Sequence, residues 1–285
     1  MIGLASSDAR YPRRLRDLAR PPATLWLDGD ASALGGAAVA IVGTRRMTGY
    51  GERVARELAI ACAGAGVVVV SGLAQGIDSA AHRGALDGGG RTVAVLGESI
   101  AVFRATVRGR RRPLVPRIVG SGALVSEFAA PFSARGWMFA QRDATIAALA
   151  DTVVVVEAGE RSGALITAEH ARRLGRKLYA VPGPLGSSAS VGTNALIAQG
   201  LASALVSPDQ LVRAAGLSHG SSVRLQTHDE SGPDALLEQL RDGPLSLDDL
   251  ARRARLPAQE LSSRVAMLLV RGRLVSLPDG RLRLT

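Results

Sequence analysis

Three stretches, "GVVVVSG" (66–72), "RTVAVLG" (91–97) and "DTVVVVEAG" (151–159), are apolar at consecutive positions through their centres. Successive side chains of a strand point to opposite faces, so a strand without polar alternates needs cover on both. Parallel sheets flanked by helices supply that cover. "AAVAIV" (37–42), "GALVSEF" (122–128), "KLYAVPG" (177–183) and "SALVS" (203–207) read as further strands. Helices are expected between them, near 48–63, 77–86, 136–150, 162–175 and 192–200. This alternation predicts the α/β class: a Rossmann-like, doubly wound, mostly parallel sheet over residues 37–206. Ligands of such sheets sit beyond the carboxyl ends of the strands.

Residues 1–36 are arginine- and proline-rich, too few for a core of their own, and are expected as an extension packed on the sheet domain, with "ATLWLDGD" extended. Residues 207–232 are polar and turn-rich and read as a linker. Residues 233–285 then show three amphipathic helical segments and a hairpin with Asp279-Gly280 at its turn, a small winged-helix-like domain. Its third helix carries Gln259, Glu260, Ser262, Ser263 and Arg264, and no further basic residue before Arg271. With nine arginines against seven acids this domain is only mildly basic, and protein contact or regulation suits it as well as groove reading.

The net charge is +10, and Lys177 is the only lysine. Guanidinium groups suit phosphate because they donate two parallel hydrogen bonds. Cys62 stands alone, which excludes disulfides and cysteine-based metal sites within the chain, and the four histidines share no ligand spacing. No metal and no cofactor is expected. No signal peptide and no run of membrane-spanning length is read, so a cytoplasmic protein away from membranes is expected.

Four strand-to-helix turns could face the sheet's carboxyl edge. In the first, Gly43-Thr44-Arg45-Arg46, arginines stand where a dinucleotide fingerprint would need a glycine against pyrophosphate. Such a turn suits an exposed phosphodiester at a helix start. In the second, "SGLAQGIDSAAH" (71–82), Ser71, Gly72, Gln75 and Gly76 are candidates, with backbone N–H groups at the glycines facing the cleft. Asp78 and His82 share a helix face there and are read as structural. The third carries Arg142 and Asp143; the fourth carries Arg161, Ser162 and Gly163. The stretch 103–117 holds six arginines and no acid, and reads as a solvated mobile loop that could funnel a polyanion through Arg108, Arg110, Arg111 and Arg112. Several anion-receptive turns at one edge fit a strand of nucleic acid better than a mononucleotide. Aromatics make up 3% of the chain, so phosphate contacts should dominate over base stacking.

The segments "IVGTRRMTGYG", "VVSGLAQGIDSAAHRGAL", "TVAVLG", "SEF", "VVVVEAGERSGALITAEHARRLGRKLYAVPG" and "GTNALIAQG" resemble, in order, the DNA-processing protein A family, DprA/Smf. The similarity spans about residues 11–206. It implies a single-stranded DNA-binding protein, not an enzyme, that protects incoming strands and delivers the recombinase RecA to them in natural transformation and recombination. It also implies a pocket on Gly43, Thr44, Arg45, Ser71, Gly72 and Arg142. A homodimer through the Rossmann-like domain is implied too, for which Leu196, Ile197 and Leu201 are the candidates.

The chain departs from that pattern in two places. "ESIAVFRATVRGRRRPLVPR" replaces a Gly-rich turn and a Tyr-Pro…Asn stretch after the "AVLG" strand. At the third turn Phe139-Ala140-Gln141-Arg142-Asp143-Ala144 stands in place of Phe-Pro-x-Arg-Asn-Arg. The competing reading is a nucleoside-monophosphate phosphoribohydrolase of the lysine-decarboxylase-like group, whose paired-glycine loop is missing from "GERSGALITAEHA". A nicotinamide oxidoreductase fails on glycine spacing, and no acidic residue closes the second strand, where Ser71 stands instead.

Overall fold

The structure, a computed structural model, describes residues 1–129, 136–216, 235–254, 256–270 and 272–285. Two compact units divide the chain, Met1–Ser222 and Val223–Thr285. The first is built on a nine-stranded sheet. Its strands are β1 (Ile2–Ala5), β2 (Thr24–Gly29), β3 (Ala38–Val42), β4 (Val68–Ser71), β5 (Thr92–Leu96), β6 (Ala123–Ser126), β7 (Thr152–Val155), β8 (Lys177–Ala180) and β9 (Ser203–Ala204). Their order is β1-β2-β6-β5-β4-β3-β7-β8-β9, and every pairing from β6 to β9 is parallel.

The valine runs lie where two-sided cover requires. Ala40, Val42, Val70, Val93 and Val155 face one side, under α5 (Gly136–Leu149) and α6 (Ala164–Arg173). Val39, Ile41, Val69 and Val154 face the other, under α1 (Gly49–Gly64) and α2 (Ile77–Asp87). The predicted helices therefore stand within about two residues of their expected limits.

The amino-terminal residues do more than pack on the domain. β1 pairs antiparallel with β2, and β2 with β6, so they extend the sheet itself. Leu4, Leu15, Leu25 and Leu27 enter its core, and Arg14 grips Asp151 with Nε and Nη2 at 2.8 and 2.7 Å.

The arginine-rich stretch requires a correction. Instead of a solvated mobile loop it forms α3 (Ile100–Thr106), a 3-10 turn (Gly109–Arg111) and α4 (Leu114–Ser121). Ile100, Phe103, Val107, Leu114, Val115 and Ile118 recur near helical spacing and bury against Ala94, Leu96 and Leu124. That apolar face hides among the arginines, which occupy the other positions.

The segment expected as a linker also begins differently. Residues Pro208–Ala214 form α8, with Leu211 in the core beside α1. Ser207 caps it by accepting from the Gln210 N–H (3.3 Å), and Gln210 Oε1 accepts in turn from the Val206 N–H (3.0 Å). Ser-Pro-Asp-Gln is a helix-start signature. Residues 217–232 of the expected linker, with His219 and His228, lie outside the described residues.

The second unit holds α9 (Ala235–Glu238), α10 (Leu247–Ala254), α11 (Ala258–Val270) and an antiparallel hairpin of β10 (Leu274–Ser276) and β11 (Leu282–Leu284). Leu236, Leu250, Leu261, Val265 and Leu282 form its core, and the whole is a winged helix. On α11 Arg264 pairs with Glu260 at 3.0 Å; the side chains of Gln259 and Ser263, and Arg271, lie outside the described residues.

His82 is enclosed between α2 and the sheet, and its role is structural. Thr92 Oγ1 donates to the Val69 carbonyl (2.7 Å), so it can only accept from His82 Nδ1, also at 2.7 Å. His82 Nε2 has no hydrogen-bond partner among the described residues, and burial holds the imidazole down at about 3. The unfolded chain takes up this proton as pH falls below about 6.5, whereas the folded chain refuses it until about 3. Stability should therefore decline across that window. Urea unfolding at pH 7 and 4.5 is expected to show a smaller difference for His82→Gln than for the native chain; an equal difference would remove His82 from the acid response.

Candidate nucleic-acid interface

From β3 the sheet grows through β4, β5 and β6 on one side and through β7, β8 and β9 on the other. The neighbouring ends of β3 and β7 are thus the switch point, where a crevice is expected. A cleft of about 670 Å³ opens there, lined by Gly43, Thr44, Arg45, Phe139, Arg142, Asp143, Arg161, Ser162 and Gly163 among others. A second groove of about 510 Å³ shares Arg45 and Arg46 with it and runs past Gln75, Gly76, Arg83, Arg108, Arg110 and Arg111. Residues from all four turns and from the arginine stretch are thereby brought to one edge. Arg112 is exposed but lines neither space.

The first turn is held from both sides. The Thr44 N–H donates to the Glu157 carbonyl (2.7 Å), and the Ile77 N–H donates to the Thr44 carbonyl (3.2 Å). Buried Glu157 accepts from the Thr48 N–H (2.9 Å) and from Thr48 Oγ1 (2.5 Å), fixing the start of α1. Glycine is required around this joint: a Cβ on Gly43 would meet Ile77 Cγ1 at 2.5 Å, and one on Gly51 would meet Glu157 Oε2 at 2.3 Å. Held in this way, Arg45 and Arg46 project into solvent. Arg45 stacks on Phe139 at 5.8 Å and, like Arg46, Arg108, Arg110, Arg111 and Arg161, forms no ion pair among the described residues. Glu157 is absent from the candidates read in the sequence; its signal there is a lone carboxylate ending a valine run.

The second turn corrects the expectation of open N–H groups. Ser71 is fully buried and donates its hydroxyl to the Ile41 carbonyl (2.6 Å). The Gly72 and Ala74 N–H groups donate to Asp78 Oδ2 at 3.2 and 3.3 Å, so they point inward. A Cβ on Gly72 would lie 1.3 Å from Arg142 Nη1: this glycine makes room for an arginine, not for a ligand. Gly76, with φ +89°, packs its Cα against the Thr44 carbonyl, and its helix start is taken up by that contact.

Arg142 is itself a buried strut. Only 6% exposed, it stands 3.7 Å from Asp78 Oδ2 and 3.5 Å from Asp143 Oδ1. Its Nε has no hydrogen-bond partner among the described residues, and its guanidinium lies 5.9 Å from the Phe139 ring centre. Burial pushes the Asp143 carboxyl up to about 6; Asp78 adds to this, while Arg142 and Arg45 oppose it. Burial raises Asp78 as well, against the pull of Arg142 and the backbone N–H groups. The inner cleft thus sets two carboxylates beside its arginines, while the described lining of the outer groove holds arginines and no acid.

At the fourth turn Arg161 is exposed, and Gly163 begins α6, with Ser162 Oγ accepting from the Ala164 N–H at 3.4 Å. Glu169, further along, is engaged by Arg172 and Arg173 at 3.0 and 2.7 Å. On α7 (Val191–Ala198), Leu196 and Ile197 pack partly on the core, and Leu201 beyond it is 41% exposed.

Arg142 and Arg45 should therefore respond differently to removal. Arg142→Ala leaves Asp78 buried without its partner and should cost on the order of 3 kcal/mol in urea unfolding. Arg45→Ala should stay within about 0.5 kcal/mol of the native chain, as an exposed side chain does. Equal losses would refute the division into strut and surface group.

The family described as DNA recombination-mediator protein A matches residues 3–216, and the DprA winged helix domain matches residues 221–280. The putative DNA processing protein DprA of Mycobacterium tuberculosis is 39% identical over 286 residues, covering 95% of this chain and 71% of that protein. Protein Smf of Escherichia coli is 34% identical, covering 96% and 75%. Among solved structures, DNA processing protein A of Streptococcus pneumoniae superposes with a TM-score of 0.68 at 32% identity, covering 76% of this chain and 75% of the other. That of Helicobacter pylori, described for its single-stranded DNA binding mode, gives 0.65 at 30% identity, covering 71% and 91%.

Proposed function

The chain belongs to the DNA recombination-mediator protein A family, and from that premise we propose that it binds single-stranded DNA along the arginine-lined edge of its sheet. The observation that carries this reading is a set of guanidinium groups, exposed Arg45, Arg46, Arg108 and Arg110 and half-buried Arg111, that line the outer groove, two of them shared with the inner cleft, and form no ion pair among the described residues. An arginine already paired gives up its partner on binding phosphate; these have none to give up. The backbone of a flexible strand can follow the groove from the first turn to the arginine-bearing 3-10 turn. The relative from Helicobacter pylori, described as binding single-stranded DNA, supports the choice of strand.

On this reading Gly43, Thr44, Arg161, Ser162 and Gly163 line the strand's path, and Arg142 with Ser71 and Gly72 supports it from below. The bound strand is protected and handed to RecA in transformation and recombination, in the cytoplasm and without catalysis by this chain. Two copies associate through α7 and Leu201, which gives two grooves per assembly. The phosphoribohydrolase alternative is not favoured: Glu169 is bound to its own helix's arginines, and the family match points elsewhere.

Salt-titrated anisotropy with a labelled thymidine oligomer tests the site. Arg45→Ala is expected to weaken single-strand binding about tenfold or more, with a smaller effect on duplex. Replacing Arg108, Arg110, Arg111 and Arg112 together by alanine should flatten the salt dependence by about 0.7 in log–log slope for each phosphate no longer gripped. Unchanged slope and affinity would remove the arginine stretch from the path.

Asp143 sets a pH dependence. Its carboxylate repels phosphate when ionised, and it ionises around 6. Affinity should rise as pH falls from 7.5 to 5.5, and Asp143→Asn should bind more tightly at pH 7.5 with that rise abolished. A variant that keeps the native pH profile would show that another group titrates.

A further inference from the structure

Three aromatic rings of the first unit stack with arginines, and one of them, Phe139, lines the inner cleft. Phe139 has Arg45 and Arg142 within 5.9 Å, Tyr50 has Arg53 at 5.6 Å, and Phe103 has Arg111 at 6.0 Å. A guanidinium over a ring occupies the face that a nucleobase would need. Trp137 differs. It is 59% exposed, and among the described residues no guanidinium lies over it.

Trp137 stands in the first turn of α5, the same turn that brings Gly136, Phe139 and Ala140 to the wall of the inner cleft. Its ring is held rather than loose: Phe128, just beyond β6, meets it edge to face, with centroids 6.0 Å apart and planes at 78°. That contact braces the indole, while its exposure leaves ring surface open to a stacking partner. Exposure alone would not single it out, since Leu185 is 94% exposed. A flat ring, braced by a neighbour and largely exposed beside the cleft, is what a base leaving that cleft would meet.

We propose that Trp137 is a stacking platform for a nucleobase at the rim of the inner cleft, braced by Phe128. The inference rests on the reading of the groove as a single-strand path and adds a contact to the base where that reading supplied contacts to phosphate. Stacking of this kind is sequence-tolerant because every base presents a flat face. It gives the groove a means of preferring strands whose bases are free over duplex, which phosphate contacts alone provide weakly.

The experiment compares two oligomers of equal length and charge, one of thymidine and one of abasic deoxyribose phosphate, by competition anisotropy with the full chain. Trp137→Ala is expected to lose about five- to tenfold in affinity for the thymidine oligomer and nothing for the abasic one. Trp137→Phe should retain most of the native affinity. In a Trp26→Phe background, where Trp137 is the remaining tryptophan, the thymidine oligomer should quench the emission and the abasic one should not. An unchanged affinity in Trp137→Ala, or an equal loss on both oligomers, overturns the proposal. Native protein that binds neither oligomer would overturn the single-strand reading itself, and the platform with it.

Discussion

The Glu157 carboxylate, buried at the end of β7 and bonded to both the N–H and the hydroxyl of Thr48, is the contact on which the binding edge depends. It ties the start of α1 to the neighbouring strand across the switch point. The Glu157 carbonyl takes the Thr44 N–H, and the Thr44 carbonyl takes the Ile77 N–H, so three elements close on one short turn. A buried carboxylate is costly unless its oxygens are satisfied, and here both are. With the backbone so constrained, Arg45 and Arg46 have one direction left, outward.

Charge in this protein is sorted by depth. Arg142 sits below the surface with Asp78 and Asp143, where its role is to balance carboxylates and fill the space left by Gly72. Arg104 and Arg117 on the arginine-rich helices are likewise paired, with Asp28 and Asp87. Arg108, Arg110 and Arg111 form no ion pair among the described residues and line the groove. With Arg45 and Arg46 they are cations without an ion pair among the described residues. Such groups add little to stability and keep their full attraction for a polyanion.

The edges of the sheet are managed by the same economy of local pairing. β1 and β2 cover the β6 edge with antiparallel strands, and α3 and α4 cover the face that these strands would expose. The 3-10 turn that carries Arg110 and Arg111, with Arg108 just before it, lies between helices anchored by Ile100, Phe103, Leu114 and Ile118, so these positive groups stand on a fixed support. Groups ordered in advance lose less entropy on meeting an anion.

Much of this was legible in the chain. Unbroken valine runs fix two-sided strands, two-sided strands fix a parallel sheet, and a parallel sheet fixes where its crevice lies. The winged helix was equally open to reading, from helical periodicity followed by a turn with Asp279-Gly280. α3 and α4 were concealed because arginine dominates the stretch, although the apolar spacing was present; α8 was concealed in polar sequence, although Ser207 and Gln210 marked its start. What only the tertiary structure decided was which candidates open to the cleft. Ser71, Gly72 and Arg142 look like Gly43, Thr44 and Arg45 in sequence, yet the first set is buried and engaged inward, Arg142 reaching the cleft only as its floor, while Arg45 stands exposed at the cleft's wall. Periodicity is a property of neighbours along the chain and can be read there. Whether a guanidinium finds a carboxylate depends on residues far apart in sequence, and only folding brings Asp78 to Arg142 and leaves Arg45 without an ion pair among the described residues.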